Sequence, residues 1–553
     1  MMRFTLAVLF VIIAVAPSSL AAQNATPYIQ WIRSYGGTTA DWFPGNVCLT
    51  YDGNLVMVGL SDSYDGDAGC SFGKSVHGFI VKTDRDGNRI YSHCFGSPAS
   101  PDGLILRVNF WDVAPTADSG CIVATEPYAL DSPSGTFPYA CDSTHIQAHL
   151  GLMKFDKNGM VQWRQCYGGG GDDELTSVCQ APDGGYYFLT QTRSATPDFP
   201  IHYGGPFDTD CWLVKTDSLG TIQWQKLLGG SGDDHPKRLH LNEKNQIVTL
   251  ITTNSTDHAL QGIQRHSNID SWVCIFDSAG ALIKQAVVPY NGSDSRMFDF
   301  CVKNSGFYFS GFIAGDNGGN QCHPFSGQQV WPGDNAVFAL DSNLNYLWCY
   351  IGGGSDIDRL FRIAPVNDHL FAAIGSSYST ELNQNCEYPF IDSTGREKWS
   401  VFFIDDAGHL KGQRCFSGSK GAILSGVVNS NSNELYIAGG TSSTDYDFVN
   451  VYNRGYFDGI LIYLKFFPDD VSHIADVTVQ MAPNPTSDVI NVSIPHADRN
   501  MKLLVKNALG ETLWQQPIFV DDFQINLTNF SSGIYFFHLE NGTEHQVLRV
   551  VKY

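Results

Sequence analysis

Paired carboxylates set among glycines recur along this chain. GGGGDDE carries Asp172 and Asp173, GGSGDDH carries Asp233 and Asp234, and GGGSDID carries Asp356 and Asp358. Such carboxylates could hold Ca²⁺, a hard cation that takes oxygen ligands, or a hydroxyl-rich ligand. They also have a structural use, because glycine permits a sharp crossing between strands and aspartate caps it. Recurrence at several points favours that second use. Asp65-Gly66-Asp67 is the other Ca²⁺ candidate, although it lacks the spacing and the terminal Glu of an EF-hand. No other cofactor is expected. His and Ser are scattered without GxSxG or HExxH, so no catalytic residue is singled out and the chain is read as a non-enzyme.

The elements that position these groups announce themselves by repetition. An apolar strand, then Asp-x-x-Gly, then a strand with an aromatic residue appears as FIVKTDRDGNRIY, GLMKFDKNGMVQW, WLVKTDSLGTIQW and WVCIFDSAGALIK, with weaker copies VFALDSNLNYLW and VFFIDDAGHLKG. The lead residues are Asp84, Asp156, Asp217, Asp277, Asp341 and Asp405. A period of about 60–70 residues suits one four-stranded propeller blade with long loops. In each turn the Asp side chain can cap backbone N–H groups while Gly supplies positive φ. Leu344 replaces that Gly in one copy, which predicts a looser or longer turn.

A tight turn joins neighbouring strands of one sheet, so its two strands are C and D, preceded by A and B. The third blade then reads A at 174–181, B at 185–192, C at 210–216 and D at 221–228. YIQWIRSYGG at 28–37 resembles a D strand with nothing before it. ILSGVVN, ELYIAGG and DGILIYLKFF resemble A, B and C with no D after them. The expected fold is therefore all-β, a seven-bladed β-propeller over 24–467 closed by the N-terminal strand, which removes two exposed sheet edges. Trp163, Trp224 and Trp348, with Tyr91 at the same position and Trp31 on the unpaired first D strand, are expected to pack between adjacent blades.

There are 14 Cys, all between Cys48 and Cys415. Four fall in long B–C loops (Cys70, Cys141, Cys322, Cys386) and four on D strands of the same blades (Cys94, Cys166, Cys349, Cys415). That co-occurrence makes Cys70–Cys94, Cys141–Cys166, Cys322–Cys349 and Cys386–Cys415 the expected disulfides of an exported protein. Cys48, Cys121, Cys179, Cys211, Cys274 and Cys301 lie inside strands and read as small buried hydrophobes. No Cys-x-x-Cys spacing points to a metal.

Arg3, the apolar run 4–16 and Ser19-Leu20-Ala21-Ala22 read as a signal peptide over 1–22, cleaved after Ala21 or Ala22. The run is too short for a transmembrane anchor, and none is expected elsewhere. A formal charge of −22 argues against nucleic acid or an anionic membrane as partner.

Residues 468–477 read as a linker, and 478–553 as a small Ig-like β-sandwich without Cys. Pro483-Asn484-Pro485, the Asn507-Ala508-Leu509-Gly510 turn, Leu527 followed by Ser532-Gly533-Ile534-Tyr535, and the basic end at Lys552 resemble the type A sorting domain of type IX (Por) secretion. The resemblance implies a Bacteroidetes-type source and recognition by the type IX translocon. It also implies removal of the domain by a sortase-like protease, with cargo held at the outer face of the outer membrane or released. The preceding residues resemble repeat-propeller cargo of that route. Asp217-Ser218-Leu219 and Asp277-Ser278-Ala279 resemble the short O-glycosylation motif of such bacteria. The repeated turn resembles the Asp-box of sialidases and the tryptophan-docking motif of quinoprotein propellers. It departs from the first by one residue and from the second by lacking Thr before Gly. Both motifs are structural in their families, so neither implies an active site.

Up-down topology would put B–C loops and D–A connections at one end, and the long, varied B–C loops make that end the working face. A glycan or protein ligand is expected there. The alternatives are a glycan-active hydrolase or lyase using Asp173 and Asp234 at the channel mouth, or a structural surface component. Arg is sparse in the A-strand regions, so no cluster for a sialic carboxylate can be read from the sequence.

Overall fold

The repeated turns and alternating strands build an all-β, propeller-like architecture in the computed structural model. It describes residues 27–552 apart from scattered positions and the segments 71–75, 97–106, 129–149, 169–173, 316–332, 379–397, 467–479 and 494–500. The expected signal peptide, the linker, Asp172, Asp173, Cys141, Cys322, Cys386, Pro483 and Pro485 lie outside the described residues.

Between Tyr28 and Lys465 the described strands form seven antiparallel sheets, six of which follow chain order. The third runs Glu174–Gln180, Tyr186–Thr192, Asp210–Thr216, Ile222–Leu228. One sheet departs from chain order. Tyr28–Tyr35 pairs antiparallel with Asp458–Lys465, with Ile32 opposite Ile462, and completes the sheet of Ala422–Asn431 and Glu434–Thr441. The first strands of successive sheets touch in turn. From Val47–Leu49 the contacts run through Arg107–Pro115, Glu174–Gln180, Asp234–Leu241, Asp294–Lys303 and Asp358–Pro365 to Ala422–Asn431, which meets Val47–Leu49 again. These are the innermost strands. Apolar C strands such as Asp210–Thr216 are wholly buried, whereas D strands such as Ile222–Leu228 are mostly half-buried.

The turn geometry is uniform. Asp217 Oδ1 accepts the N–H groups of Leu219 and Thr221, both at 2.9 Å. Asp84, Asp156, Asp277, Asp341 and Asp405 repeat both bonds at the corresponding positions. The turn at Leu344 is neither longer nor looser. Leu344 takes φ 62° and keeps the 2.9 Å bond from its N–H to Asp341 O. It is buried, and apolar packing offsets the strain of a left-handed residue bearing a Cβ.

The aromatic residues of the D strands lie across the next turn. A Cβ at Gly220 would meet the Trp163 ring at 3.0 Å, at Gly280 the Trp224 ring at 3.1 Å, and at Gly87 the Trp31 ring at 2.8 Å. Glycine is required there twice over, for positive φ and for the ring's approach. Cys70 and Cys94 form a disulfide. Cys166, Cys349 and Cys415 are also disulfide-bonded, while the six strand cysteines are free thiols.

Residues 480–552 form two further sheets, Gln480–Ala482 with Val489–Ser493 and Asp522–Asn526, and Thr512–Pro517 with Met501–Lys506, Gly533–Asn541 and Glu544–Lys552. Ile490, Val492, Leu503, Val505, Ile525, Phe537 and Leu539 pack between them as one core.

Candidate functional site

Every innermost strand except Val47–Leu49 carries a β-bulge near its start, where one extra residue interrupts the register; in Ala422–Asn431 Gly426 follows it. The residues after the bulge are Asp112, Ser177, Arg238, Asp299 and Arg362 in successive sheets. They meet in a buried network across the centre. Arg238 Nη1 donates to Asp112 Oδ1 at 2.8 Å, and its Nε lies 3.2 Å from Asp299 Oδ1. Asp112 also accepts Asn46 Nδ2 at 3.3 Å and Val178 N at 3.1 Å, and Asp299 accepts Ile363 N at 3.1 Å. Ion pairs between Asp112, Arg238 and Asp299, extended by hydrogen bonds from Asn46, Val178 and Ile363, thus link the first six sheets.

The bulged residues sit one layer nearer the loop end. Two of them, Lys237 and Phe298, line a cavity of about 350 Å³ with Asp233, His235, Thr252, Asn254, Ile269 and Arg296. These positions lie at D–A connections, the starts of A strands and the ends of B strands, so the cavity opens at the end expected to be the working face. Burial holds the Lys237 ammonium below the usual lysine range; Glu174 opposes this and the Arg296 charge adds to it. Burial likewise lowers His235, and the Lys237, Arg193 and Arg296 charges push it further. The Arg296 and Arg359 guanidiniums lie 5.8 and 5.4 Å from the centre of the Phe312 ring, itself 5.6 Å from Phe298.

Arg is therefore not sparse on the innermost strands, which carry Arg238, Arg296, Arg359 and Arg362. The sequence reading missed them because a bulge reverses which face a side chain takes, so alternation does not reveal a shared cavity. The adjacent cations Lys237 and Arg238 at the middle of one short strand were the available signal.

The carboxylates of the glycine crossings that the structure describes divide between buried and accessible positions. Asp234 is fully buried, and its Oδ2 accepts Gly230 N and Ser255 Oγ, both at 2.8 Å. Asp41 does the same in the first sheet, accepting Gly37 N and Ser63 Oγ at 2.7 Å. Asp358 is also fully buried, and its backbone N–H bonds Gly333 O of the preceding sheet. Enclosure removes these carboxylates from a ligand in solution, and Asp234 and Asp41 serve as caps of the glycine crossings. Asp233 lines the cavity and accepts Thr209 N at 3.2 Å, while Asp356 is exposed and accepts Ile357 N. Asp65 accepts Thr38 N, and Asp67 pairs with Arg454 and Arg89. Among the described residues no group of three or more His, Cys, Asp or Glu is placed to hold a metal.

In the C-terminal sandwich the motif residues do structural work. Asn484 Nδ2 donates to Arg549 O at 2.7 Å and its Oδ1 accepts Val551 N at 2.9 Å, pinning the last strand. Asn507 accepts Glu511 N at 3.0 Å around Gly510, which has φ 81°. Gly533 starts a strand, Tyr535 donates its hydroxyl to Ser531 O at 2.6 Å, and buried Lys552 lies 3.9 Å from Asp488. The family model described as "Secretion system C-terminal sorting domain" matches residues 480–553. Residues 480–553 are a type IX sorting domain. The sorting domain implies engagement with the type IX machinery and export to the cell surface or extracellular space. Among the described residues no helix is long and apolar enough to cross a membrane.

A comparison with the curated proteins finds no match. Among solved structures, the chain is similar to a protein of unknown function from Dyadobacter fermentans (9% identity, TM-score 0.34, covering 64% of this chain and 93% of that one). A Hadza microbial sialidase matches at 10% identity and TM-score 0.33, over 72% of this chain and 74% of that one. A neuraminidase-like protein from A/flat-faced bat/Peru matches at 9% and 0.33, over 81% and 97%.

Proposed function

We propose that this chain is a secreted, non-catalytic propeller that binds an extracellular glycan or protein at its B–C loop end, delivered there by the sorting domain. The reading comprises a signal peptide at 1–22, seven blades over 24–467 closed by the N-terminal strand, a linker at 468–477 and the sorting domain at 478–553. The observation that carries it is the cavity at the loop end, where Lys237, Arg296, His235, Asn254 and Phe298 converge from two adjoining sheets. A concave site with an aromatic side chain and a few polar groups is what small ligands use. The pairing of Tyr28–Tyr35 with Asp458–Lys465 supports the closure.

The hydrolase alternative relied on Asp173 and Asp234, and enclosure of Asp234 speaks against that route. Glycan-array and pull-down screens of the mature chain test the binding reading, using variants with the 194–207 and 442–457 loops shortened. Capture that loop shortening abolishes is expected. Blank screens together with harmless shortening would contradict it.

A further inference from the structure

The cations at the cavity are only partly neutralised by carboxylates. Among the described residues Lys237 has no hydrogen-bond or ion-pair partner, although its side chain is mostly enclosed and lines the cavity. Arg296 lies close enough to repel it, and Arg296 Nη2 is paired 3.1 Å from Asp294 near solvent. Arg359 lies over Phe312 with no ion-pair partner among the described residues. The acids nearby are Asp233, turned to Thr209 N, and Glu174, which accepts Gln191 Nε2 at 2.9 Å. Like charges gathered in a low-dielectric recess are costly, and an anionic group entering between them would relieve that cost.

The rest of the lining narrows the ligand further. A cavity of about 350 Å³ is near the small end of ligand pockets, which span about 300–1,000 Å³. The Thr252 hydroxyl, Asn254 and His235 line the cavity with Phe298; Asn254 Oδ1 accepts Asp233 N and His235 Nδ1 meets Gln191 Oε1, which leaves the Asn254 Nδ2 and His235 Nε2 atoms for a ligand. A compact ring with several hydroxyls and one anionic substituent would use all of these. An acidic peptide side chain would use the cations and leave the hydroxyl and amide idle.

We propose that the cavity binds an acidic sugar, its carboxylate between Lys237 and Arg296 and its ring against Phe298. This rests on the binding reading above and names the ligand class. Titration calorimetry of the mature full chain with digalacturonate, its uncharged galactose counterpart and an oligoglutamate tests it. Digalacturonate is expected to bind, the uncharged sugar at least tenfold more weakly, and Lys237→Gln and Arg296→Gln are each expected to lose tenfold or more. Lys237→Arg is expected to retain binding, and added salt to weaken it. Thermal unfolding of each variant confirms that the fold is kept. Unchanged affinity in Lys237→Gln, equal binding of the uncharged sugar, preference for oligoglutamate, or no digalacturonate binding would overturn it. A neutral glycan or protein captured through the loops would then leave the binding reading standing and remove only the acidic-sugar assignment.

Discussion

Adjacent residues of one strand have opposite fates here. Arg238 is enclosed between Asp112 and Asp299, and Arg238→Ala would strand two buried carboxylates, a cost of about 3–5 kcal/mol in unfolding free energy. Lys237→Gln removes a charge with no described partner, so chemical denaturation should show a far smaller change. Gly220→Ala should cost about 1 kcal/mol or more, since φ of 88° and the Trp163 ring both oppose a Cβ. The buried crossing carboxyls make a pH prediction. Burial pushes Asp210 and Asp334 up to about 7, and Asp234 and Asp458 up to about 6, from 3.8. The folded chain therefore keeps protons that the unfolded chain has released. Their contribution is complete below about pH 4 and is lost as pH rises through 6 to 7. Asp210→Asn should flatten the fall in melting temperature between pH 5 and 8.

At the scale of elements, the unit is a C–D hairpin whose Asp accepts the turn's N–H groups and whose glycine seats the previous sheet's aromatic. That much was legible, because both functions lie within a few residues of one another. Three hairpins add a feature that the pattern hid. Lys82, Lys154 and Lys215 are buried on C strands and pair with Asp52, Asp118 and Asp183 of the A–B turns, at 2.8, 2.8 and 2.9 Å. A lysine in an apolar strand reads as an interruption until the distant turn is folded against it. The clasp and the cavity were illegible for the same reason. Arg238 and Asp112 are 126 residues apart, and bulges decide which side chains face the centre. The Cys70–Cys94 bridge could be anticipated because loop and strand cysteines occur in the same blades. Cys94→Ala should cost about 3 kcal/mol, read as a lower denaturation midpoint.

For the whole molecule the two families of carboxylates pull against each other. Burial alone would raise Asp52, Asp118 and Asp183, but hydrogen bonds and charge from Lys82, Lys154 and Lys215 override it and hold them below the usual range. Their stabilisation is present above about pH 4 and is lost as pH falls through their depressed values. Combined with the crossing carboxyls, this gives a melting temperature expected to peak near pH 5 and to decline toward pH 3 and pH 8. A peak at or above pH 8 would contradict the burial argument. The closure of the ring depends on the N-terminal strand completing the last sheet, since that pairing covers two edges that would otherwise be open. Hydrogen–deuterium exchange of the mature chain measures it directly. The account expects amides of Tyr28–Tyr35 to be protected to the same degree as those of Asp458–Lys465 and to exchange with them in one cooperative unit. Rapid exchange of Tyr28–Tyr35 while Asp458–Lys465 stays protected would contradict it.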